Sequence, residues 1–339
     1  MVTIKDISKM SGFSVTTVSK AMNDYSDISS KTKNLILSIA NEMNYIPNSQ
    51  ARSLVTQKSY TIGIIFQEIS GIGLQHPLFS KILETFKSEV ESAGYDILFL
   101  SQRMGKQIGS YLQHSIRKQV EGILVLCANF FSDELFELYN AEIPMVLIDF
   151  EQERIQCITS NNAQAVDLAL KYLYDNGHRD IANIHGGSNT FIGGTRKKAF
   201  EDSMAALGLE INPEHVVEGE FFSIQNGYDA MKKIMHCPNQ PTAIFCASDL
   251  MAIGAMQAIH DEGKKVPDDY SIIGFDGIDA SQITTPRLTT IKQDTENMGR
   301  IAAKDILKMV EKNKRLNMGK TRVVDGYLYE GETVRKREL

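Results

Sequence analysis

The sequence predicts an α/β protein in two unequal parts. A small all-helical module at the N-terminus centres on a helix-turn-helix, and a long body follows with parallel sheets divided between two lobes. Apolar positions three and four apart dominate the first forty-odd residues, whereas from Tyr60 onward short apolar strands alternate with amphipathic helices. Charge separates the same two parts. Residues 1–60 carry seven Lys/Arg against four Asp/Glu, a balance of +3, so within the formal total of −6 the remainder carries −9. A basic module suits a polyanion; an acidic body is no general nucleic-acid surface.

The module reads helix by helix. Thr3 is placed to cap a first helix with Asp6 three positions on, and Ile4, Ile7 and Met10 or Ser11 share one face. Gly12 stops that helix and Ser14 caps a second. Val18, Ala21 and Met22 point inward from the second helix, leaving Val15, Thr16, Ser19 and Lys20 on its other face. Small hydrogen-bonding side chains and one cation are what a helix needs to approach base edges in a DNA major groove, although an ordinary helical hairpin would look the same in isolation. Ser29 opens a third segment, with Leu35, Ile36, Ile39, Ala40 and Met43 on its apolar stripe, and three such helices can close a core. It ends at Asn44-Tyr-Ile-Pro-Asn48, because proline disfavours helix in the residue before it. Asn48 can cap one more short helix running to Gln57. That hinge segment lacks a broad apolar face and is shorter than the ~12–15 residues at which isolated helices become marginal. It is expected to fold only against a partner, with Leu54 as a wedge and Arg52 and Lys58 holding phosphates.

In the body, strands are predicted at 61–66, 95–100, 122–126, 144–148, 181–184, 243–246 and 271–275. Helices are predicted at 79–93 and around 162–176, 195–207, 224–235 and 249–262. Strand–helix alternation makes parallel sheets covered on both faces, and this length exceeds one sheet, so two lobes are expected with a boundary near 160. Doubly wound sheets bind ligands at the carboxyl ends of their strands. The residues there are His76, Asp149, Ser248-Asp249 and Asp276, with Arg196 opening a helix after Gly193-Gly194. Carboxylates, an arginine fork and aromatic rings suit a polyhydroxylated ligand. The competing reading is that acids at strand ends cap helices, Asp249 above all.

Composition excludes several classes. No apolar run approaches the ~18–20 residues of a membrane span, and the N-terminus does not read as a secretory signal. The four cysteines, Cys127, Cys157, Cys237 and Cys246, are widely spaced and read as buried reduced thiols in a cytoplasmic protein, neither a disulfide framework nor a zinc site. No dinucleotide fingerprint, phosphate loop or nucleophile elbow is present, the histidines show no metal spacing, and Gly186-Gly-Ser188 lacks the lysine of a phosphate loop. An enzyme is therefore not expected, and no cofactor or metal. His178 and Arg179 read as structural parts of a turn.

The runs Val2-Thr-Ile-Lys-Asp-Ile-Ser-Lys9, Ser14-Val-Thr-Thr-Val-Ser-Lys20, Asn44-Tyr-Ile-Pro-Asn48 and Ala51-Arg-Ser-Leu54 resemble the headpiece and hinge of the lactose-repressor/galactose-repressor (LacI/GalR) family. Gly177-His-Arg-Asp-Ile-Ala182, Ser248-Asp-Leu-Met-Ala-Ile-Gly254, Ile273-Gly-Phe-Asp276 and Leu288-Thr-Thr-Ile-Lys-Gln-Asp294 extend the resemblance to a two-lobed core like the periplasmic sugar-binding fold, over nearly the whole chain. The resemblance implies a homodimeric, effector-responsive transcription regulator, acting most simply as a repressor, whose paired hinges insert leucines into the operator minor groove. It implies a headpiece at 1–46, a hinge at 47–58 and a core at 60–339. The first lobe would take about 60–160 and 291–320, the second about 161–290 and 321–339.

On this resemblance the DNA-contacting set is Thr3 from the first helix; Ser14, Val15, Thr16, Thr17, Ser19, Lys20 and Asn23 from the second; Ser29, Thr32 and Tyr45 from the third and its exit; and Asn48, Ala51, Arg52 and Leu54 from the hinge. Lys20 stands where the family most often has arginine, and a lysine cannot make the planar bidentate contact. For the effector, Arg196 matches the arginine that grips hydroxyls or a carboxylate, Asp276 the aspartate opposite it, and Asp149 an acid of the first lobe. Ser248 stands where asparagine is common, beside Asp249, while Phe222 and Phe191 supply aromatic surface and Gln293 faces the pocket from a crossover. His76 and Phe79 fall where many relatives have Asn-Pro-Phe-Phe. The implied partners are double-stranded operator DNA and a small effector, a sugar first. A purine or a protein corepressor is the alternative within the family, and a solute-binding protein without DNA function is the alternative outside it. The tail 329–339 has no leucine heptad, so no tetramerising helix is expected.

Overall fold

A computed structural model describes residues 2–46, 58–68, 71–188, 190–220, 222–312 and 319–338. The expected hinge contacts Asn48, Ala51, Arg52 and Leu54 lie outside the described residues. The headpiece is three helices, α1 (Ile4–Ser11), α2 (Val15–Met22) and α3 (Ser30–Glu42). Asp6 accepts from both the backbone N–H and the hydroxyl of Thr3, at 2.9 and 2.7 Å, and Gly12 ends α1 in the left-handed region at φ 75°. Ser14 and Ser29 cap α2 and α3 by accepting from Thr17 N and Thr32 N. The core is Ile7, Val18, Ala21, Ile36 and Ala40, ringed by half-buried Ile4, Met22, Ile39, Met43 and Tyr45. One apolar expectation is corrected: Leu35 is 49% exposed, because the stripe through Ile36, Ile39, Ala40 and Met43 leaves it at the outer edge. Of the alternatives Met10 and Ser11, Met10 is 54% exposed and Ser11 is the half-buried one.

The body begins with β1 (Thr61–Phe66), α4 (Pro77–Ser92) and β2 (Asp96–Phe99). A short hairpin of β3 (Arg103–Met104) and β4 (Gln107–Ile108) leads to α5 (Tyr111–Arg117), β5 (Gly122–Cys127), α6 (Asp133–Tyr139), β6 (Met145–Ile148) and β7 (Gln156–Ser160). There follow α7 (Asn162–Asp175), β8 (Ile181–His185), α8 (Phe191–Ala206), β9 (Val216–Glu218), α9 (Ile224–Met235), β10 (Ala243–Cys246), α10 (Asp249–Asp261) and β11 (Ser271–Asp276). The chain closes with β12 (Thr289–Lys292), α11 (Thr295–Glu311), β13 (Thr321–Val324) and β14 (Tyr327–Tyr329). Two six-stranded sheets result, ordered β13-β7-β6-β5-β1-β2 and β14-β12-β11-β10-β8-β9. Only the β12–β14 pair in them is antiparallel.

Both faces of each sheet are buried, which explains strands such as Thr61-Ile-Gly-Ile-Ile-Phe66 that are apolar without alternation. In the first lobe Phe86 and Ile82 of α4 meet Ile306 and Ala302 of α11 on one face, while α5 and α6 cover the other. In the second lobe α9 and α10 cover one face and α7 and α8 the other. Helices α9 and α10 cross so closely that a Cβ on Gly254 would lie 1.9 Å from the carbonyl oxygen of Ile224, so both backbones depend on glycine there.

The chain crosses between lobes three times: between β7 and α7, between β12 and α11, and between β13 and β14. The last two differ from expectation. β12 belongs to the second sheet although it reaches Lys292, and β13 pairs with β7 in the first sheet, so residues 321–324 do not belong to the second lobe. The polar, exposed face of β13 gave no apolar run to read. Helix α8 also starts four residues before the expected 195. Thr190 caps it by accepting from Gly193 N at 3.1 Å, so Gly193 and Gly194 lie inside the helix and Arg196 does not open it. Cys157 and Cys246 are buried, but Cys127 and Cys237 are only half-buried.

His178 ties the turn before β8 to the chain's tail, its Nδ1 2.9 Å from the Thr242 hydroxyl and its Nε2 3.1 Å from the Arg335 carbonyl. Burial pushes its pKa down to about 4 from an ordinary value of 6.5. A depressed folded value means the neutral ring stabilises the fold above 6.5, and that contribution is lost as pH falls towards 4. His178→Gln should flatten the fall in melting temperature across that window; an unchanged slope would assign the acid sensitivity elsewhere. In the headpiece, Ile36→Ala should cost ~2–5 kcal/mol, most of what so small a core supplies. Calorimetry should show the body's transition kept while the headpiece helices lose amide-exchange protection.

Candidate functional site

On α2 the headpiece presents the face expected to read DNA. Val15 and Thr16 are exposed there, while Ser19 and Lys20 are half-buried at its edge. Several expected contact residues also have internal partners. The hydroxyls of Ser14 and Thr17 lie 2.9 Å apart, as do those of Ser29 and Thr32, and the Asn23 amide donates to the Ser19 carbonyl at 2.8 Å. Tyr45 packs its ring against the headpiece core. Thr3, Ser14 and Ser29 thus sit at three helix N-termini, where free backbone N–H groups favour phosphate. Lys20 is ion-paired with Asp27 of the following loop.

Between the lobes lies a cavity of about 160 Å³. It is small beside the ~300–1,000 Å³ of pockets for drug-sized ligands, so it fits one compact molecule. From the first lobe come Gln67 and Glu68 after β1, His76, Leu78 and Phe79 around the start of α4, Leu126, Cys127, Ala128 and Phe130 at and beyond the end of β5, and Ile148 and Asp149 at the end of β6. From the second come Thr190, Phe191, Ile192 and Arg196 of α8 and its cap, Glu220 and Phe222 after β9, and Asp276 at the end of β11. Strand ends thus meet across the gap, as doubly wound sheets dictate.

Arg196 is the cavity's organising group. Its residue is 2% exposed, its Nε donates to Asn162 Oδ1 at 2.9 Å, and one Nη donates to the Ala247 carbonyl at 2.7 Å. The same nitrogen lies 3.6 Å from Asp276, and the guanidinium carbon sits 3.8 Å from the Phe275 ring centroid. Burial lowers the arginine's pKa, and the charges of Asp276, Asp149 and Asp249 oppose that. Burial also raises Asp276 to about 7, against the pull of Arg196 and of Gln293, whose amide donates to it at 2.7 Å. Asp149 accepts from the Thr159 hydroxyl at 3.2 Å and is raised by burial too. Both carboxylates stand on left-handed backbone, at φ 54° and 116°, a conformation that persists only where surroundings over-determine it and that concentrates at ligand sites.

The aromatic walls are built as deliberately. Phe222 lies over Gly186, where a Cβ would come within 2.3 Å of its ring. Phe79 contacts His76 and Phe66 at centroid distances of 4.7 and 5.8 Å. The His76 Nδ1 is buried without a hydrogen-bond partner, and burial lowers its pKa, so a neutral imidazole presents an unused polar atom.

Of the expected effector residues, His76, Phe79, Asp149, Phe191, Arg196, Phe222 and Asp276 line this cavity. Gln293 lies beneath it, touching Asp276 and accepting from the Ser160 hydroxyl. The expectation for Ser248 and Asp249 is corrected: neither lines the cavity. Ser248 caps α10 by accepting from Met251 N. Asp249 is fully buried and spends its oxygens on the Thr290 hydroxyl at 2.5 Å and Ile278 N at 2.8 Å, a brace between β12 and the loop after β11. Sequence reading missed Glu68, Phe130, Thr190 and Glu220, and also Asn162, whose place directly after a lobe crossing was the available signal.

Comparison with known proteins agrees in both parts. The model of bacterial regulatory proteins of the lacI family matches residues 3–48, and that of a periplasmic binding protein-like domain matches residues 170–334. The HTH-type transcriptional repressor PurR of Pasteurella multocida is 38% identical over 303 residues, 88% of this chain and 89% of its own. The Bacillus subtilis protein described as "Probable HTH-type transcriptional repressor ExuR" is 35% identical over 313 residues, 91% of this chain and 92% of its own. Among solved structures, the lac repressor dimer bound to operator and the anti-inducer ONPF superposes with a TM-score of 0.84 at 25% identity, covering 98% of this chain and 99% of that one. With similarity above a third over nine-tenths of its length, a helix-turn-helix headpiece and a two-lobed core, this chain belongs to the LacI family of DNA-binding transcriptional repressors and is not an enzyme.

Proposed function

We propose that this repressor is controlled by a small, neutral molecule rich in hydrogen-bond donors, a sugar before other classes, bound between the lobes. The carrying observation is the polar set of the cavity. Four carboxylates, Glu68, Asp149, Glu220 and Asp276, face one guanidinium whose Nε and one Nη already donate to Asn162 and Ala247. Such a set accepts hydroxyl protons and repels a second anion, which disfavours uronates and sugar phosphates. Phe79 and Phe222 offer apolar faces for a sugar ring. A purine base is the second reading, favoured by the four phenylalanines of the lining, Phe79, Phe130, Phe191 and Phe222.

On this reading the protein works in the cytoplasm as a homodimer. Two headpieces read the halves of a near-palindromic operator through Val15, Thr16, Ser19 and Lys20, and hinges carrying Leu54 fold in its centre. Effector binding changes how the first lobes of the dimer approach, and so whether the hinges pair. Each 1.4 kcal/mol of that differential is worth about tenfold in affinity.

Thermal-shift screening of sugars, sugar phosphates and purines tests the ligand class. A ligand that donates into the Asp276 carboxylate keeps it ionised, so binding releases a proton. Affinity should then weaken as pH falls below about 7, by up to about tenfold per pH unit. Asp276→Asn should lose both the shift and its pH dependence, and a sugar shift unchanged in that variant refutes the pocket. Arg196→Ala is the weaker test, since stripping a buried pair of one partner costs ~3–5 kcal/mol of stability. For the hinge, Leu54→Ala should weaken operator binding far more than nonspecific binding; equal losses would sink the wedge.

A further inference from the structure

The loop after the recognition helix is acidic, on the one module expected to meet phosphate. Its two carboxylates each hold a lysine: Asp24 pairs with Lys33 of α3, and Asp27 with Lys20 of α2. The loop is anchored. Tyr25 N donates to the Lys20 carbonyl at 3.1 Å, Asn23 N donates to the Ser19 carbonyl at 3.1 Å, and Ile28, next to Asp27, packs on the headpiece core. Asp27 is therefore held beside the end of α2, with side-chain exposures of 40% for Lys20 and 52% for Asp27. An acid near the DNA backbone weakens binding to every sequence, so its position beside the single cation of the reading face calls for a compensating role.

We propose that Asp27 is a positioning residue for DNA specificity: it holds the Lys20 ammonium at the end of the recognition helix, aimed at a base edge, and away from neighbouring phosphate. The inference rests on the reading of Lys20 as a base contact. A lysine has a flexible four-carbon stem and three donors, without the pre-set plane of a guanidinium. Left alone it finds the nearest phosphate oxygen, a contact that carries no sequence information. With one N–H given to Asp27, two remain for acceptors such as guanine O6 and N7, and the carboxylate supplies the fixed direction that the lysine lacks. The same carboxylate repels phosphate, which lowers affinity for random sequence.

The test uses the full chain and its Lys20→Ala, Asp27→Asn and doubly substituted forms. Base preferences are read by selection from a random DNA pool, and nonspecific affinity by titrating a random duplex across a salt series. Lys20→Ala should flatten preference at one position of each half-site. Asp27→Asn should lower discrimination at that same position by roughly tenfold, tighten nonspecific binding, and steepen its log–log salt slope by about 0.9 as the released lysine neutralises a phosphate. In the Lys20→Ala background Asp27→Asn should leave base preferences unchanged, because the residue it positions is gone. Wild-type base preferences in Asp27→Asn, with only nonspecific binding tightened, would assign Asp27 to general repulsion and overturn the proposal, as would an equal change of preference in the Lys20→Ala background. Unchanged preferences in Lys20→Ala alone would instead remove the base contact on which the proposal rests. Asp27→Asn is isosteric at an exposed site, so melting curves should match wild type.

Discussion

A guanidinium taken out of water has to be surrounded, and the second lobe is arranged around that requirement at Arg196. Desolvating an ion of this size costs several kcal/mol even after relaxation, so it persists only with full hydrogen bonding and an opposite charge. The chain supplies such partners from three separate places: Asn162 after the first crossing, the carbonyl of Ala247 at the end of β10, and the end of β11, where Asp276 lies beside the guanidinium and the Phe275 ring beneath it. These groups converge only when β10 and β11 are in register and α8 packs on them. The ligand cavity is a consequence of that convergence: the arginine and its counter-charges are the floor on which a ligand would rest.

From the floor, hydrogen bonds run directly into the lobe crossings. Asp276 accepts from Gln293, at the second crossing, and Gln293 accepts from Ser160, at the first. The third is laced to the first by the Asn161 amide donating to Asp325 at 2.8 Å and by Gln164 donating to the Gly326 carbonyl. Hydrogen bonds thus tie the three crossing segments to one another, and Asp276 is joined to the first two through the side chains of Gln293 and Ser160. A ligand bound at Asp276, as proposed, would therefore touch a group that is two hydrogen bonds from the first crossing.

Much of this was legible in the sequence, and the rest was hidden for identifiable reasons. Fully buried strands such as Ala243–Cys246 and helices with strong apolar stripes such as Ile224–Met235 declare themselves, because burial on both faces or on one face leaves a periodic trace. Strand β13 does not, since three of its four residues are exposed and its pairing depends on β7, some 160 residues away in the chain. Gly193-Gly194 read as a break, but the Thr190 cap and tight packing against Gly187 keep them helical. For the cavity, strand-end carboxylates were the right class of residue to examine. Direction was what periodicity could not supply: Asp149 and Asp276 turn into the gap on left-handed backbone, while Asp249, equally acidic and equally at a strand end, turns inward to Thr290 and Ile278. The Lys20–Asp27 pair was invisible for the same reason, since a seven-residue separation across a loop implies nothing about contact.

Energetic scale decides whether such a body can act as a switch. Among the described residues, contacts across the gap include the Phe150–Phe191 ring contact at 5.3 Å and the Lys81–Asp279 ion pair. An edge-to-face ring pair is worth ~0.5–1.5 kcal/mol beyond the area it buries, and an exposed ion pair ~0–1 kcal/mol. A ligand of micromolar affinity brings about 8 kcal/mol, several times that sum. These two contacts are therefore weak beside a ligand's binding energy, whereas each doubly covered sheet is held by a large buried core. Under the proposed control, only the part of the ligand's binding energy that differs between two lobe arrangements would reach the DNA-binding end. A headpiece whose described core is five buried residues is small enough for a differential of a few kcal/mol to matter. The large buried cores lie within the lobes and the named contacts across the gap are weak, which is the distribution that a ligand-controlled repressor, as proposed, would need.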